Sequence, residues 1–355
     1  MPRTRSGIFS LPKKLFFRFT IQRDSPKWFI NDTCGKICAF ITWMLILYGN
    51  FVMFYILLPP WYNFDHNNIN NFENINQKLR SMDLTNNNFN QEDQIRTLNR
   101  MKFQQKSEAS SVISSSQSFF NSKISASFNG LIFLVMSIFA FVAHVRAMFS
   151  DPGSTELNNA SPESIQKMNL PPGHVLYKCT KCVAIKPERA HHCSVCRRCI
   201  VKMDHHCPWI NNCVGEKNQK YFVLFTLYIC LISLHALIIV VKTFMKCANN
   251  GWSSNLCTLR SSGVTLINMI GLTFEAALFC LFTAIMFGTQ IYAICVDETG
   301  IEQLKGDVKH KKNSHKKNSK CLNFKSVFGD KLSVRWLVPF FAPRWAKQDI
   351  SLYAV

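Results

Sequence analysis

The apolar residues of this chain are concentrated in four long runs, and this feature constrains the fold more than any other. The runs cover residues 37–58, 126–149, 221–241 and 263–296. Each is near or above the ~20 residues that a helix needs to cross a hydrocarbon layer of ~30 Å. Hydrophobic side chains make up 48% of the 355 residues. Because they are so unevenly spread, we predict an all-α polytopic membrane protein with four transmembrane helices.

The charged residues predict how the chain lies in the membrane. Segments 1–36, 150–220 and 297–355 are basic, whereas segment 59–125 is nearly neutral. Basic loops flank membrane spans on the cytosolic side. We therefore expect the two termini and segment 150–220 in the cytosol, with 59–125 and 242–262 in the lumen. The net charge of +20 would also suit nucleic acid, but its position beside the spans favours anionic lipid headgroups, so we expect the bilayer and not nucleic acid as the partner.

The segment between the first two predicted spans is rich in asparagine and serine. Runs such as Asn67–Asn71 and Asn86–Asn88 are polar and of low complexity. Sequence of this kind buries too little apolar area to offset the entropy lost on ordering. We therefore expect the lumenal loop 59–125 to be largely disordered.

Seven of the 15 cysteines lie between residues 179 and 213, interspersed with histidines. In the reducing cytosol, cysteines at Cys-x2-Cys spacing indicate metal thiolates rather than disulfides. Two Zn²⁺ sites need eight ligands, which six of the cysteines and two histidines would supply. The pattern predicts a cysteine-rich domain with two structural zincs between spans two and three, with one cysteine left over.

Spacing alone does not identify the spare cysteine. Cys207 has the best physical case, because a thiol is a good nucleophile only as the thiolate and a neighbouring histidine can take its proton. His205 supplies that histidine, and Asp204 supplies a carboxylate that could orient the imidazole. The alternative, that Cys207 is a redundant ninth ligand, stays open on the residues alone.

The run from Cys179 to Gly215 resembles a known family. It reads Cys-x2-Cys-x3-Lys-Pro-x2-Ala-His-His-Cys-x2-Cys-x2-Cys-x4-Asp-His-His-Cys-Pro-Trp-x-Asn-Asn-Cys-x-Gly. This is closely similar to the cysteine-rich domain of the DHHC-type protein S-acyltransferases, or palmitoyltransferases. Asp151-Pro152-Gly153 resembles the family motif after the second span, and Asn323-x4-Phe328-Gly329 resembles its C-terminal aromatic motif. Where the family usually has Thr-Thr-x-Glu, this chain reads Thr299-Gly300-Ile301-Glu302.

The resemblance implies a role for each residue of the cluster. One zinc would be bound by Cys179, Cys182, His192 and Cys199, and the other by Cys193, Cys196, His206 and Cys213. Cys207 would then accept the acyl group, with His205 as its general base and Asp204 as the orienting carboxylate.

The resemblance also implies the reaction. Cys207 would take a long-chain acyl group from acyl-CoA, with palmitoyl-CoA as the co-substrate, and pass it to membrane-proximal cysteines of protein substrates. Lys186, Arg189 and His191 are the residues expected to contact CoA, and Trp209 is expected in the floor of an acyl cavity between the spans. A Golgi or ER membrane is the family's commonest location.

Two other functions fit parts of the sequence. The Gly300 departure leaves room for a catalytically inactive, zinc-dependent membrane scaffold of the same fold. A RING-like ubiquitin ligase is a third interpretation, but the ending Pro-Trp-x-Asn-Asn-Cys does not fit cross-braced ligand pairs. Only the acyltransferase predicts a hydroxylamine-sensitive acyl adduct on Cys207.

Overall fold

The computed structural model of the protein describes residues 28–59, 91–167, 176–249, 263–305, 319–329 and 332–343. The helices are α1 Thr33–Val52, α2 Gln91–Phe149, α3 Pro162–Lys167, α4 Gln219–Asn249, α5 Gly263–Val296, α6 Gly300–Lys305 and α7 Lys320–Phe328. A π-helical turn, Met53–Leu57, continues α1, and 3₁₀ turns cover Pro208–Ile210 and Val334–Trp336. The chain is therefore mainly helical over its described part.

Four helices of the described part are long and apolar enough to cross a membrane. These stretches are Thr33–Leu57, Phe120–Phe149, Gln219–Met245 and Leu266–Val296. They confirm the prediction of four spans. Many large apolar side chains on them are exposed, such as Tyr55 and Phe274 at more than 70% each, as expected for helices whose outer faces contact lipid.

The structure differs from the sequence expectation between residues 91 and 125, where α2 has already begun. The asparagine-rich composition of segment 59–125 favoured disorder. Residues 91–106, however, contain no glycine or proline and are rich in Gln, Arg, Leu, Met and Lys, which lose little side-chain freedom in a helix. The predicted disorder is therefore wrong for this half of the segment, while residues 60–90 lie outside the described residues.

Helix α1 begins directly against the cysteine-rich region. The side chain of Asp32 caps its first turn by accepting a 2.7 Å hydrogen bond from Gly35 N. Gly35 packs against Asn211 so closely that a Cβ at this position would overlap the asparagine side chain. The glycine thus allows the start of α1 to approach the residues that follow Cys207.

The cysteine-rich region consists of three two-stranded antiparallel hairpins. Their strands are β1 Lys178–Cys179 with β2 Ala184–Ile185, β3 Ala190–Cys193 with β4 Arg198–Val201, and β5 His205–Cys207 with β6 Asn212–Val214. Isolated two-stranded hairpins are at best marginally stable in water. Something other than the strands must hold this region together, and the predicted zinc sites are suited to that role.

Asn212 joins the cysteine-rich region to the end of α2. Its Nδ2 donates to the carbonyl oxygens of Ala147, Met148 and Ser150, at 3.0, 3.2 and 2.9 Å. These carbonyls belong to the last turn of a helix and the residue after it, where intrahelical partners run out. The hairpins are thereby fixed at the end of the helical bundle.

The C-terminal motif packs on the same end of the bundle. Asn323 Nδ2 donates to Cys295 O at 3.2 Å. Phe328 is buried among residues of α4 and stacks on Trp336, with 5.4 Å between the ring centroids. The segment after α7 is held by Tyr228, whose hydroxyl donates to Leu337 O at 2.6 Å.

Candidate active site and metal centres

Strand β3 contributes ligands to two different Cys/His clusters. His192 is paired with Cys199 across the hairpin, and both belong to the cluster completed by Cys179 and Cys182. Neighbouring side chains of a strand point to opposite faces. Cys193 therefore faces the other way and belongs to the second cluster.

The second cluster is built on the same principle. It consists of Cys193, Cys196, His206 and Cys213, and His206 is paired with Cys213 across the β5–β6 hairpin. Alternation along β5 then places His205 and Cys207 together on the face opposite His206. One short strand thus separates a metal ligand from the candidate catalytic pair.

In each cluster one Cys-x2-Cys pair supplies two ligands, and the two turns that carry these pairs have the same backbone geometry. Val183 and Arg197 each follow the second cysteine of a pair, and their φ angles are 47° and 53°. In the second turn, Cys196 N donates to Cys193 Sγ at 3.3 Å. The left-handed residue turns the chain back so that both thiols of a pair face one point.

Both clusters fit Zn²⁺. In each, the four ligand atoms lie within 4.8 Å of one another. The distances from the sulfurs to His192 Nδ1 run from 3.2 to 3.9 Å, and those to His206 Nδ1 from 3.4 to 3.7 Å. A tetrahedral Zn²⁺ with bonds of about 2.3 Å to sulfur and about 2.0 Å to nitrogen requires ligand separations of roughly 3.5–3.8 Å. The predicted division of the eight ligands is the division that the structure has.

Asp204, His205 and Cys207 form a connected set beside the second cluster. Asp204 Oδ2 lies 2.7 Å from His205 Nδ1. The His205 side chain also interacts with Cys207, and its ring packs edge-on against Phe222 with 5.4 Å between centroids. Because Asp204 occupies Nδ1, Nε2 is the nitrogen left for the thiol. Cys207 is 6% exposed and belongs to neither metal cluster.

The electrostatics of this set favour an ion pair. Burial alone would lower the pKa of His205, but its hydrogen bond to Asp204 and its interaction with Cys207 outweigh burial and raise that pKa to about 9. Burial likewise acts to raise the pKa of Asp204, yet hydrogen bonds from His205, Gly300 and Gln290 hold it below its usual value. A carboxylate beside a readily protonated imidazole is an arrangement that can hold a proton taken from a thiol.

Two residues that support Asp204 were not among the predicted site residues. Gln290 Nε2 donates to Asp204 Oδ2 at 2.9 Å, and the backbone N–H of Gly300 donates to Oδ1 at 2.6 Å. The second bond comes from the position where the family's threonine is missing. Because the donor is the backbone, the contact does not require a threonine side chain.

An apolar cavity lies between the four long helices and ends at Cys207. The space within it is about 900 Å³, part of which is open to the surroundings, and residues of α1, α2, α4 and α5 line it. Trp209 lines the cavity next to Cys207 and contacts Phe279 of α5 edge-on at 6.3 Å. Trp209 thus lines the cavity at its Cys207 end, and its predicted place in the floor of an acyl cavity stays a prediction.

A buried histidine that the sequence analysis did not identify holds Trp209 in place. His144 of α2 is fully buried, and its Nε2 donates to Trp209 O at 2.9 Å. Its other nitrogen, Nδ1, accepts a 3.1 Å hydrogen bond from Trp43 Nε1 of α1. Both ring nitrogens are satisfied when the imidazole is neutral, so the bonds fix one tautomer and link two helices to the loop after Cys207.

The residues expected to contact CoA lie on one side of the cysteine-rich region. Lys186 and His191 are partly exposed. The Arg189 guanidinium, by contrast, makes 2.7 and 2.8 Å bonds to the two oxygens of Glu302 and a 3.1 Å bond to Asp297. Arg189 thus connects the β2–β3 turn to α6 through a bidentate ion pair.

Membrane-length helices surround an apolar cavity with the thiol of Cys207 at its end, an arrangement suited to an enzyme that holds a fatty acyl chain beside a reactive cysteine. Residues 174–307 match the family described as DHHC palmitoyltransferase. The chain is 43% identical to palmitoyltransferase ZDHHC3 of Rattus norvegicus over 92% of its own length and 88% of the relative's.

Two further relatives agree. Identity is 42% to palmitoyltransferase ZDHHC3 of Homo sapiens, over 92% of this chain and 88% of the relative. It is 39% to palmitoyltransferase ZDHHC7 of Rattus norvegicus, over 90% of this chain and 83% of the relative. The chain therefore belongs to the DHHC palmitoyltransferase family, and its enzyme class is protein S-acyltransferase. No observation favours the inactive scaffold.

Proposed function

We propose that this protein transfers a long-chain acyl group, such as palmitoyl, from acyl-CoA to cysteine thiols of other proteins through a thioester on Cys207. The observation that carries the proposal is the position of Cys207. It is the cysteine of the cluster that belongs to neither metal site, it lies beside His205, and it faces the apolar cavity.

In the first half-reaction, the sulfur of Cys207 attacks the carbonyl carbon of the acyl-CoA thioester. His205 Nε2 takes the thiol proton, and Asp204 stabilises the resulting imidazolium through Nδ1. The bond between the carbonyl carbon and the CoA sulfur breaks, and His205 gives its proton to that sulfur as CoA leaves. The acyl chain is then attached to Cys207 and lies in the cavity.

In the second half-reaction, His205 takes the proton of a substrate cysteine thiol. The substrate sulfur attacks the same carbonyl carbon, the bond to Cys207 breaks, and His205 returns its proton to the Cys207 sulfur. One thioester replaces another in each step, so no other energy source is needed. Burial of each methylene contributes about 0.8 kcal/mol to binding of the chain. The cavity can therefore hold a long acyl chain between the two half-reactions.

We assign the two Cys/His clusters to structural Zn²⁺ sites. When bound, the ions supply rigidity to hairpins that are too short to be stable alone. Cys179, Cys182, His192 and Cys199 would hold one ion, and Cys193, Cys196, His206 and Cys213 the other. Because His206 lies between His205 and Cys207 on β5, an ion that fixes His206 also fixes the position of these two neighbours on the opposite face of the strand.

Of the residues predicted to contact CoA, we propose Lys186 and His191 as the main ligands of its phosphates. Arg189 could join them only by exchanging its bond to Asp297 for a phosphate. Lysine is a common phosphate ligand as a point charge.

We further propose that both termini and the cysteine-rich region face the cytosol. The support is the basic charge of these segments, which normally stays on the cytosolic side of spans. Substrate cysteines would then have to lie near the membrane surface to reach Cys207. A Golgi or ER membrane remains the proposed location.

The test is acylation of the purified, full-length protein with an alkyne-tagged palmitoyl-CoA analogue. We expect wild type to form an adduct that hydroxylamine removes, because a thioester is cleaved under conditions that an amide survives. Cys207→Ser should form no adduct while it retains as much zinc as wild type. The matched control is Cys295→Ser, which removes a free cysteine of α5 and should leave the adduct unchanged.

The result that would contradict the proposal is an adduct of equal yield on Cys207→Ser. Absence of label on zinc-loaded wild type would also contradict it. In that second case the inactive scaffold would be the better account.

A further inference from the structure

The acyl cavity contains polar groups at a depth where an unmodified fatty chain has no hydrogen-bonding group to pair with them. Ser137 is 4% exposed, and its Oγ is buried without a hydrogen-bond partner among the described residues. Glu275 Oε2 is likewise buried and lacks a partner there. Both residues line the cavity. A buried polar group without a partner costs free energy and calls for an explanation.

Helix geometry places these groups at one depth. At the end of the cavity far from Cys207, Phe133 of α2, Ala236 of α4 and Leu272 of α5 belong to one buried cluster. A Cβ placed on Gly49 of α1 would lie 3.9 Å from Phe133 and 4.0 Å from Leu272, so both side chains approach α1 at Gly49. This cluster marks the far end of the cavity.

One helical turn from that end toward Cys207, each of the three helices presents a polar residue. α2 and α5 run toward Cys207, so the turn leads from Phe133 to Ser137 and from Leu272 to Glu275. α4 runs away from Cys207, so the turn leads back from Ala236 to Ser233, which also lines the cavity. We call Ser137, Ser233 and Glu275 the polar belt.

The depth of the belt corresponds to a definite part of an acyl chain. Phe222 packs against His205 beside Cys207, and Ser233 lies eleven residues further along α4. Eleven residues of α-helix span about 16 Å. An extended alkyl chain advances about 1.25 Å per carbon, from a C–C bond of about 1.5 Å at a near-tetrahedral angle. The belt therefore faces roughly the thirteenth carbon of an acyl group on Cys207.

We propose that the polar belt binds a hydroxyl group carried near that carbon, so that the ligands of this cavity include hydroxylated long-chain acyl groups. The hydroxyl would donate to or accept from Glu275 and Ser137, whereas a plain chain leaves them unpaired. The alkyl chain itself fills the cavity from Cys207 to the belt. The hydroxyl is then the only group of the ligand that can form hydrogen bonds with the belt. This inference rests on the proposed function, because the chain must be held on Cys207.

The test is a competition between two acyl-CoAs for loading on Cys207. One is tetradecanoyl-CoA, and the other is its analogue with a hydroxyl on the penultimate carbon. Mass spectrometry of the acyl-enzyme gives the ratio of hydroxylated to plain adduct. We expect Glu275→Leu to lower this ratio about five- to tenfold relative to wild type, and Glu275→Gln to stay within about twofold of wild type.

Two controls separate recognition from damage to the cavity. Thr42→Val changes a cavity residue whose hydroxyl already donates to Cys38 O, so the ratio should not move. An analogue with its hydroxyl on the third carbon lies far from the belt, and its ratio should be the same in wild type and Glu275→Leu.

The outcomes distinguish the two proposals. If the ratio of hydroxylated to plain adduct is the same in wild type and Glu275→Leu, and the plain chain loads normally, the proposed role of the belt is wrong while the proposed function stands. The same holds if Thr42→Val changes the ratio as much as Glu275→Leu does. Failure of wild type to load either chain would overturn the proposed function and the belt with it.

Discussion

The backbone N–H of Gly300 donates a 2.6 Å hydrogen bond to Oδ1 of Asp204. Gly300 is the first residue of α6, and Asp204 is the carboxylate that orients His205. The altered family motif therefore still supports the proposed catalytic set, through an atom that every residue except proline carries.

Replacement of Gly300 by proline should slow the acylation of Cys207 about ten- to hundredfold. A hydrogen bond to a charged group is worth about 1.5–3 kcal/mol, and proline removes the donor. Proline is favoured at the first position of a helix, so α6 itself should survive. The measurement is the initial rate of thioester formation at saturating palmitoyl-CoA.

Gly300→Ala is the control for that variant. It keeps the N–H, and its Cβ would lie 3.2 Å from Asp204 Oδ1, a contact that a small shift relieves. Its rate should stay within about threefold of wild type, since such a shift preserves the hydrogen bond. A proline variant as fast as Gly300→Ala would show that the bond does not matter.

The Asp204–His205 pair should make stability depend on pH. The pKa of His205 is raised to about 9, so the stabilisation is fully present below the ordinary histidine value of about 6.5 and is lost as the pH rises through about 9. The difference in melting temperature between wild type and Asp204→Asn should therefore be larger at about pH 6 than at about pH 10. A difference that stays constant over this range would contradict the ion pair.

Removal of one metal ligand should cost zinc as well as activity. We expect Cys199→Ser to lose the ion of the first cluster and to inactivate the enzyme, although Cys199 is not part of the proposed catalytic set. Zinc content by elemental analysis checks this. Cys207→Ser is the matched control, and a loss of zinc in that variant would mean that Cys207 is a ligand after all.

The buried bridge through His144 should stabilise the bundle and the site together. Trp43→Phe removes the donor to His144 Nδ1 and leaves that nitrogen unpaired in a buried place. The cost should be about 1–3 kcal/mol, seen as a lower melting temperature in detergent. Tyr55→Phe, on an exposed side chain at the other end of the same span, should change nothing. Equal melting temperatures for the two variants would argue against the bridge.

The lengths of the apolar runs were enough to predict the four spans, and cysteine spacing was enough to predict two zinc sites. The division of the eight ligands between those sites came from the family resemblance. Zinc coordination has strict requirements for ligand type and number, and the alternation of β3 and β5 sends His192 and Cys193 to different sites. In the structure, the separation of His206 from His205 has the same physical cause. The role of Cys207 as the nucleophile stays a prediction that the geometry supports.

Contacts between distant residues could not be predicted in this way. Trp43 and His144 are 101 residues apart, and His144 and Trp209 are 65 apart. Gln290 reaches Asp204 over 86 residues, and Gly300 acts through its backbone, which no side-chain pattern reveals. The early start of α2 was missed because asparagine-rich composition outweighed the helix formers of residues 91–106.

The central claim is that Cys207 carries the acyl group between two thioesters, and a single-turnover chase tests it most directly. The enzyme would be loaded with alkyne-tagged palmitoyl-CoA, freed of unreacted donor, and mixed with a membrane-anchored acceptor peptide that bears one cysteine. We predict that label leaves Cys207 at the same rate as it appears on the peptide, and that His205→Ala slows both. Label that stays on Cys207 while the peptide remains unmodified would contradict the account.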